Sequence, residues 1–476
     1  MLILLMLPFL FGGFNQKWFI PRGISDGAAG RICICDTDRD GNFEFIFTTY
    51  GGSFTIYFYE LHLPNTWEID SFPYVNSPLL WDIGDFDLDG LWDIVFQASA
   101  GPPNMLISIA ESPDSFSYPT QEVWRDTVGF AVVQPISAYD VDNDGFPEIL
   151  DNNGNGQPNF FWIYEAVSNN QYDTVYTTNP DPTLLDGPVS THAFGDFDSD
   201  GKMEFAMGGM SAGSLGATYW VYESPANNVY EQCVQGYVST KSAKDCFSVP
   251  DADEDGKLEF VVKGFVIPSA EIHAFIFESI ADNTYAIIKT FTLPGGDYYG
   301  GYSDAGDVDG DSIPEIVLEA RQNVFIIKAA GNDSFYVWDT LPGHASGSCV
   351  RIFDIDGNGL SEIVISGNNE TRIYEYDPGG IEETTLRLLP NALRLEVYPN
   401  PTRGNLRIRF NSPDEQKVTI KLYDVTGRLV NEIFNRKAKI GTNEMPIMAE
   451  NYAAGIYFIR IKTDKEIITE KFIVLK

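Results

Sequence analysis

The residues of this chain best equipped for chemistry are carboxylates, in a spacing that recurs seven times: Asp-x-Asp-x-Asp-Gly-x-x-Asp/Glu, followed by at least two apolar residues. The loops begin at Asp36, Asp85, Asp140, Asp196, Asp251, Asp307 and Asp354, at steps of 49, 55, 56, 55, 56 and 47 residues. Three carboxylates at alternate positions of a tight loop converge on one point. A glycine at the sixth position permits the sharp turn, and a carboxylate at the ninth completes the set. Only a hard cation satisfies such a cluster, and a flexible cage of roughly six to eight oxygens favours Ca²⁺ over Mg²⁺.

The expected ligand sets are Asp36, Asp38, Asp40 and Glu44; Asp85, Asp87, Asp89 and Asp93; Asp140, Asp142, Asp144 and Glu148; and Asp196, Asp198, Asp200 and Glu204. The last three are Asp251, Asp253, Asp255 and Glu259; Asp307, Asp309, Asp311 and Glu315; and Asp354, Asp356, Asn358 and Glu362. The sixth loop departs from the pattern, with Ser312 at position six and Gly310 at position four, so a different geometry or affinity is expected there. Four acidic ligands and a carbonyl leave little open coordination, which makes about seven structural Ca²⁺ ions, one per repeat, the expected cofactors.

This reading accounts for the charge. Residues 1–390 hold 58 acidic and 16 basic groups, whereas residues 391–476 hold 15 basic and 10 acidic ones. Such an acidic body excludes nucleic acid as a partner and favours bound cations. The 27 loop carboxylates are nearly half of its acids.

The elements that must position the loops repeat with them. Each loop is followed by a short apolar strand: EFIF, DIVF, EILD, EFAM, EFVV, EIVL and EIVI. NFFWIYEAVSNNQY, ATYWVYESPANNVY and EIHAFIFESIADNTY then share an aromatic strand, an Asn-containing turn and a Tyr that opens another strand. Four strands per repeat of about 50 residues is a propeller blade. The seventh repeat lacks a fourth strand, and the segment from Gln16 to Pro21 is expected to supply it and close the ring.

These repeats resemble the FG-GAP/VCBS repeats of integrin α-subunit propellers and of many bacterial surface proteins, over roughly residues 16–378. The resemblance implies calcium in the loop between the first and second strands of each blade, and ligands on the opposite face. After a connector at 379–391, alternating strands carry LEVYPNPTRGNLRIRF, VTIKLYDVTGRLV and AAGIYFIRIKTDKEIITEKFIVLK, separated by Pro-Asn-Pro, Thr-Gly and Ala-Gly turns. By themselves these read as a small antiparallel sandwich. They resemble the type A C-terminal sorting domain of type IX secretion, over 392–476, which implies passage across the outer membrane of a diderm bacterium and engagement of that machinery. Residues 1–13 read as a secretory signal that is atypical in lacking a basic n-region, as a truncated leader would be. No stretch is long enough for a transmembrane segment.

The expected fold is therefore all-β: a seven-bladed β-propeller at 14–378 and a small antiparallel β-sandwich. The expected function is a secreted or cell-surface scaffold binding an extracellular glycan or protein. The alternatives are a polysaccharide lyase or hydrolase built on the propeller, and a surface-layer spacer. Gly209-Met210-Ser211-Ala212-Gly213 matches a nucleophile elbow in letters only, since the strand-turn-helix context is missing. The four histidines (His62, His192, His273, His344) have no metal spacing, and the five cysteines are too scattered for a disulfide framework. Candidate ligand-face residues are Asp297, Tyr298, Tyr299 and Tyr302, and the polar loop Asn152 to Asn159.

Overall fold

The computed structural model describes residues 13–24, 30–49, 55–62, 66–74, 78–99, 105–128, 135–153, 160–178, 188–210, 216–266, 269–295 and 301–378. Beyond these it describes 394–398, 402, 405–412, 415–424, 428–439, 441–448, 452–463 and 467–474. Among the described residues every regular element is a strand, and no helix is long and apolar enough to cross a membrane. The chain separates into two compact units, Gly13–Asp377 and a C-terminal unit that begins at Pro378. Residues 1–12 of the expected leader and the connector at 379–391 lie outside the described residues; Gly13 opens a strand and pairs with Asp377.

Among its described residues the larger unit forms seven four-stranded antiparallel sheets, as the blades of a β-propeller are built. Six are meanders of consecutive strands, spanning 33–73, 79–128, 136–177, 188–238, 242–294 and 304–342. The fourth, for example, comprises Pro188–Gly195, Met203–Gly209, Ala217–Ala226 and Val229–Val238. The seventh takes Cys349–Phe353, Glu362–Gly367 and Glu370–Asp377 in order, and Gly13–Ile20 as its fourth strand. The N-terminal segment thus completes the last sheet, as its similarity to the strand Phe335–Pro342 suggested.

The apolar runs after the loops become second strands. Glu44–Thr48, Glu315–Ala320 and Glu362–Gly367 are buried along their whole length. Fourth strands such as Thr66–Pro73 alternate or lie open to solvent. A strand apolar on both faces needs a neighbouring sheet on each side.

Hydrogen bonds join each sheet to the next in an unbroken cycle. Arg31 N donates to Leu80 O at 2.7 Å, Ala138 N to Asp82 Oδ2 at 3.0 Å, and the His192 ring meets Ser137 Oγ at 3.1 Å. Phe194 N donates to Ser248 Oγ at 2.7 Å, Ser303 N to Asp245 Oδ2 at 2.8 Å, and Ile352 N to Asp304 Oδ2 at 3.0 Å. Arg351 Nε returns from the seventh sheet to Ile32 O of the first at 3.1 Å.

One lysine belongs to this inner wall. Lys263 is 1% exposed, and its Nζ lies 3.1 Å from Asp245 Oδ2, 3.4 Å from Glu319 Oε2 and 2.9 Å from Ser303 Oγ.

In the C-terminal unit, Arg394–Tyr398, Asn405–Ser412 and Gly441–Met448 form one sheet. Leu429–Lys437, Lys417–Asp424, Gly455–Lys462 and Ile467–Val474 form another. Alternate residues Leu406, Ile408 and Phe410 of the first share one apolar core with Val418, Ile420, Leu422, Ile459 and Ile461 of the second.

Removing the buried ammonium in Lys263→Met leaves Asp245 and Glu319 uncompensated, so the variant loses about 3–5 kcal/mol of stability in denaturant titrations.

Candidate metal centres

Every one of the seven loops connects the first and second strands of its sheet, and its backbone is fixed by its own carboxylates. The position-six N–H donates to the position-one carboxylate in each: from Gly41 to Asp36, Gly90 to Asp85, Gly145 to Asp140 and Gly201 to Asp196. Gly256 to Asp251, Ser312 to Asp307 and Gly359 to Asp354 complete the series. The glycines at this position in the other six loops have φ between 89° and 102°. Ser312 takes φ 74°, so the sixth loop keeps the turn with Gly310 at position four, φ 79°.

The ninth position is the deepest. Its carboxylate is 0% exposed in Glu44, Asp93, Glu148, Glu204, Glu259 and Glu362, and 1% in Glu315. One oxygen accepts the N–H of the loop's second residue: Thr37 at 2.6 Å, Phe86 at 3.0 Å, Val141 at 2.6 Å, Phe197 at 2.7 Å. Ala252 at 3.1 Å, Val308 at 2.9 Å and Ile355 at 2.8 Å repeat the bond. The other oxygen of Glu44, Asp93, Glu148, Glu204 and Glu259 is buried without a hydrogen-bond partner, as is Oδ1 of Asp85, Asp140 and Asp251. In the third loop, ligand oxygens of Asp140, Asp142, Asp144 and Glu148 lie within 4.8 Å of one another, and Asp196, Asp198, Asp200 and Glu204 do the same in the fourth.

Two further contributions escaped sequence reasoning. A glutamate on the third strand faces the ninth position across the ladder: Glu60 opposite Glu44, Glu111 opposite Asp93, Glu223 opposite Glu204 and Glu278 opposite Glu259. The registers place Glu165 and Glu375 alike against Glu148 and Glu362. The glutamate that follows each third strand's aromatic run was the available signal.

The second contribution comes from the adjacent sheet. The turns before its fourth strand donate backbone N–H groups to position three: Asn170 to Asp87, Asn228 to Asp142, Asn283 to Asp198 and Asp333 to Asp253, each at 2.6 Å. These four residues have φ of 51–58°, which explains the asparagine in the repeat.

Burial, and then the neighbouring loop aspartates, push the carboxyls of Glu44, Asp93, Glu148, Glu204 and Glu259 up to about 8. Glu315 and Glu362 reach only about 7, because the amines of Lys328 and Lys17 partly offset their burial. Chemically, loops one to five are sets of hard oxygens whose buried ninth-position carboxylate has no positive partner, able to hold a proton or a cation.

Other candidates go elsewhere. Tyr302 is buried, with its ring 5.9 Å from Trp81, and Asn152 is buried with its amide 2.8 Å from Ser190 O, so neither offers a ligand surface. Both were reached by strand backbone that the core claims. Asp297 to Tyr299, residues 154–159 and Ser211 lie outside the described residues. His192 sits between Ser137 and Asn152, and burial lowers it to about 3, a neutral ring within the wall. All five cysteines are free thiols.

Fold and loops together define an all-β, carboxylate-rich propeller followed by a separate β unit. Residues 396–475 of that unit match the secretion system C-terminal sorting domain family, which marks the chain for export by type IX secretion to the cell surface or beyond. No curated protein matches the chain. Among solved structures, BBS1N in complex with ARL6DN is similar at 11% identity and TM-score 0.49, over 76% of this chain and 96% of that one. The Dos1 propeller follows at 9% and 0.47, over 76% and 95%. PorZ, a surface component of the type-IX secretion system of Porphyromonas gingivalis, is similar at 12% and 0.38, over 92% and 58%.

Two outcomes are expected. The ninth-position carboxyls rise from 4.5, or 3.8 for Asp93, to about 8 on folding, so the native protein holds their protons more tightly than the unfolded chain. That contribution to stability is present below the lower value and is lost as pH rises through 8. The melting temperature in chelator therefore falls between pH 5 and pH 9, and added divalent cation flattens the decline; a chelated protein most stable at pH 9 would contradict this. Gly201→Ala has open space for its methyl but must keep φ near 91°, so it destabilises by about 1–2 kcal/mol in thermal unfolding.

Proposed function

We propose that the chain is an exported, calcium-stapled seven-bladed β-propeller, displayed as a binding and adhesion scaffold for an extracellular glycan or protein, with a C-terminal β-sandwich for sorting. The observation that carries the calcium reading is the set of buried, partnerless oxygens on Glu44, Asp93, Glu148, Glu204 and Glu259, the first four of these residues lying in clusters of loop carboxylates. A buried carboxylate without compensation is costly, and a bound Ca²⁺ ion supplies both positive charge and the missing oxygen contacts. The side chains that would hold it in loops one to five are positions one, three, five and nine, with the third-strand glutamate beside them.

The loops join first to second strands, so they lie at the same end of each sheet as the third-to-fourth turns. The opposite end, made of second-to-third connections and crossovers between sheets, is left for a ligand. Loops on a rigid scaffold are the usual place for recognition.

Calorimetry tests the reading. Calcium at a hundredfold excess over its dissociation constant should add about 2.7 kcal/mol per site, raising the melting temperature well above that in chelator. An unchanged melting temperature would refute calcium stapling. Incubation with surface polysaccharides separates the remaining roles: retention without product supports binding, whereas release of shortened or unsaturated sugars would replace the scaffold with an enzyme.

A further inference from the structure

Loops six and seven differ from the other five in charge. Counting the third-strand glutamate, loops one to five each gather five carboxylates, as in Asp196, Asp198, Asp200, Glu204 and Glu223. Loop six has four, because the residue opposite Glu315 is Lys328 where the other sheets have glutamate. Loop seven also has four, Asp354, Asp356, Glu362 and Glu375, because position five is Asn358.

Each of these two loops holds an ammonium where the others present a partnerless oxygen. Lys328 Nζ lies 2.5 Å from Asp309 Oδ2, 3.0 Å from Asp311 Oδ2 and 3.2 Å from Glu315 Oε1. Lys17 Nζ lies 2.8 Å from Asp356 Oδ2 and 2.9 Å from Glu362 Oε1, and also contacts Glu375.

Lys17 arrives by a different route. Sheets two to seven carry a bulge in the fourth strand, at Val123, Val175, Cys233, Ile288, Trp338 and Lys17 in turn, and only the last is charged. Lys202 and Lys257 serve as internal controls. They sit 39% exposed on the rim, touch position five and the third-strand glutamate, and leave Glu204 Oε1 and Glu259 Oε1 unpartnered.

Resting on the calcium reading of the other five loops, we infer that Lys328 and Lys17 are built-in cations that take the ion's place in loops six and seven, so the propeller binds five Ca²⁺ ions and not seven. The two loops are those of sheet seven, where the first and last strands of the propeller pair, and of the sheet beside it. Sheet seven has no third-to-fourth turn, since its fourth strand begins the described chain, and so it cannot cap loop six as Asn228 caps Asp142. A tethered ammonium offsets part of the charge at this seam without drawing on calcium from the medium.

The test is a calcium count on the purified full chain, by elemental analysis after exhaustive desalting and by calorimetric titration. Five ions support the inference. More than five overturn it and leave calcium stapling intact; fewer than five, with the deficit in loops one to five, overturn the calcium reading itself.

Variants assign the sites. Glu204→Gln should lower the count by one, and Glu362→Gln should leave it unchanged. Lys328→Glu restores the common third-strand residue and Lys17→Val the common bulge residue. Each should raise the count by one and make the melting temperature more sensitive to chelator; a variant that folds with calcium and still binds five ions overturns the assignment for that loop. Should either variant fail to fold, the wild-type count and the Glu362→Gln comparison decide the matter.

Discussion

The propeller rests on the ninth-position carboxylate. It is bound on one side by the N–H of the loop's second residue and buried under the next sheet. Its position follows from strand geometry: it begins the second strand, which is apolar on both faces and locked between sheets. The chain cannot bury seven such strands without burying the acid at the head of each. A buried acid of this kind needs a proton or a positive charge beside it, and in loops six and seven a lysine supplies the charge.

That constraint links the loops to the ring. The turn that caps a loop belongs to the neighbouring sheet, as Asn228 caps Asp142 and Asn283 caps Asp198. Stiffening one loop therefore stiffens the interface beside it. At the inner strands the sheets are joined again by the cycle that runs from Arg31 to Arg351. The propeller is thus held at two places, by polar contacts between the first strands of its sheets and by the capped carboxylate loops.

The C-terminal unit obeys simpler rules. Its strands alternate, with Leu406, Ile408 and Phe410 inward and Arg407 and Arg409 outward toward Glu444. Basic residues on the outer face of such strands give this unit its opposite charge balance. It has its own core and forms a compact unit of its own.

The sequence alone determined the repeat, the placing of carboxylates in each loop, the four strands per repeat and the strand exchange at the ends. Each is a local periodicity or a similarity between segments, as between residues 16–21 and 335–340. Tertiary structure decided what depends on register and on neighbours. The facing of Glu223 and Glu204, the bulge that aims Lys17 at Glu362, and the turn that carries Asn228 to Asp142 all join residues tens to hundreds of positions apart. Tyr302 and Asn152 show the same limit from the other side. Their polarity and aromaticity suggested a ligand surface, and only packing revealed that the inner wall had buried them. Side-chain type announces which groups need a partner; the fold alone settles which partner each receives.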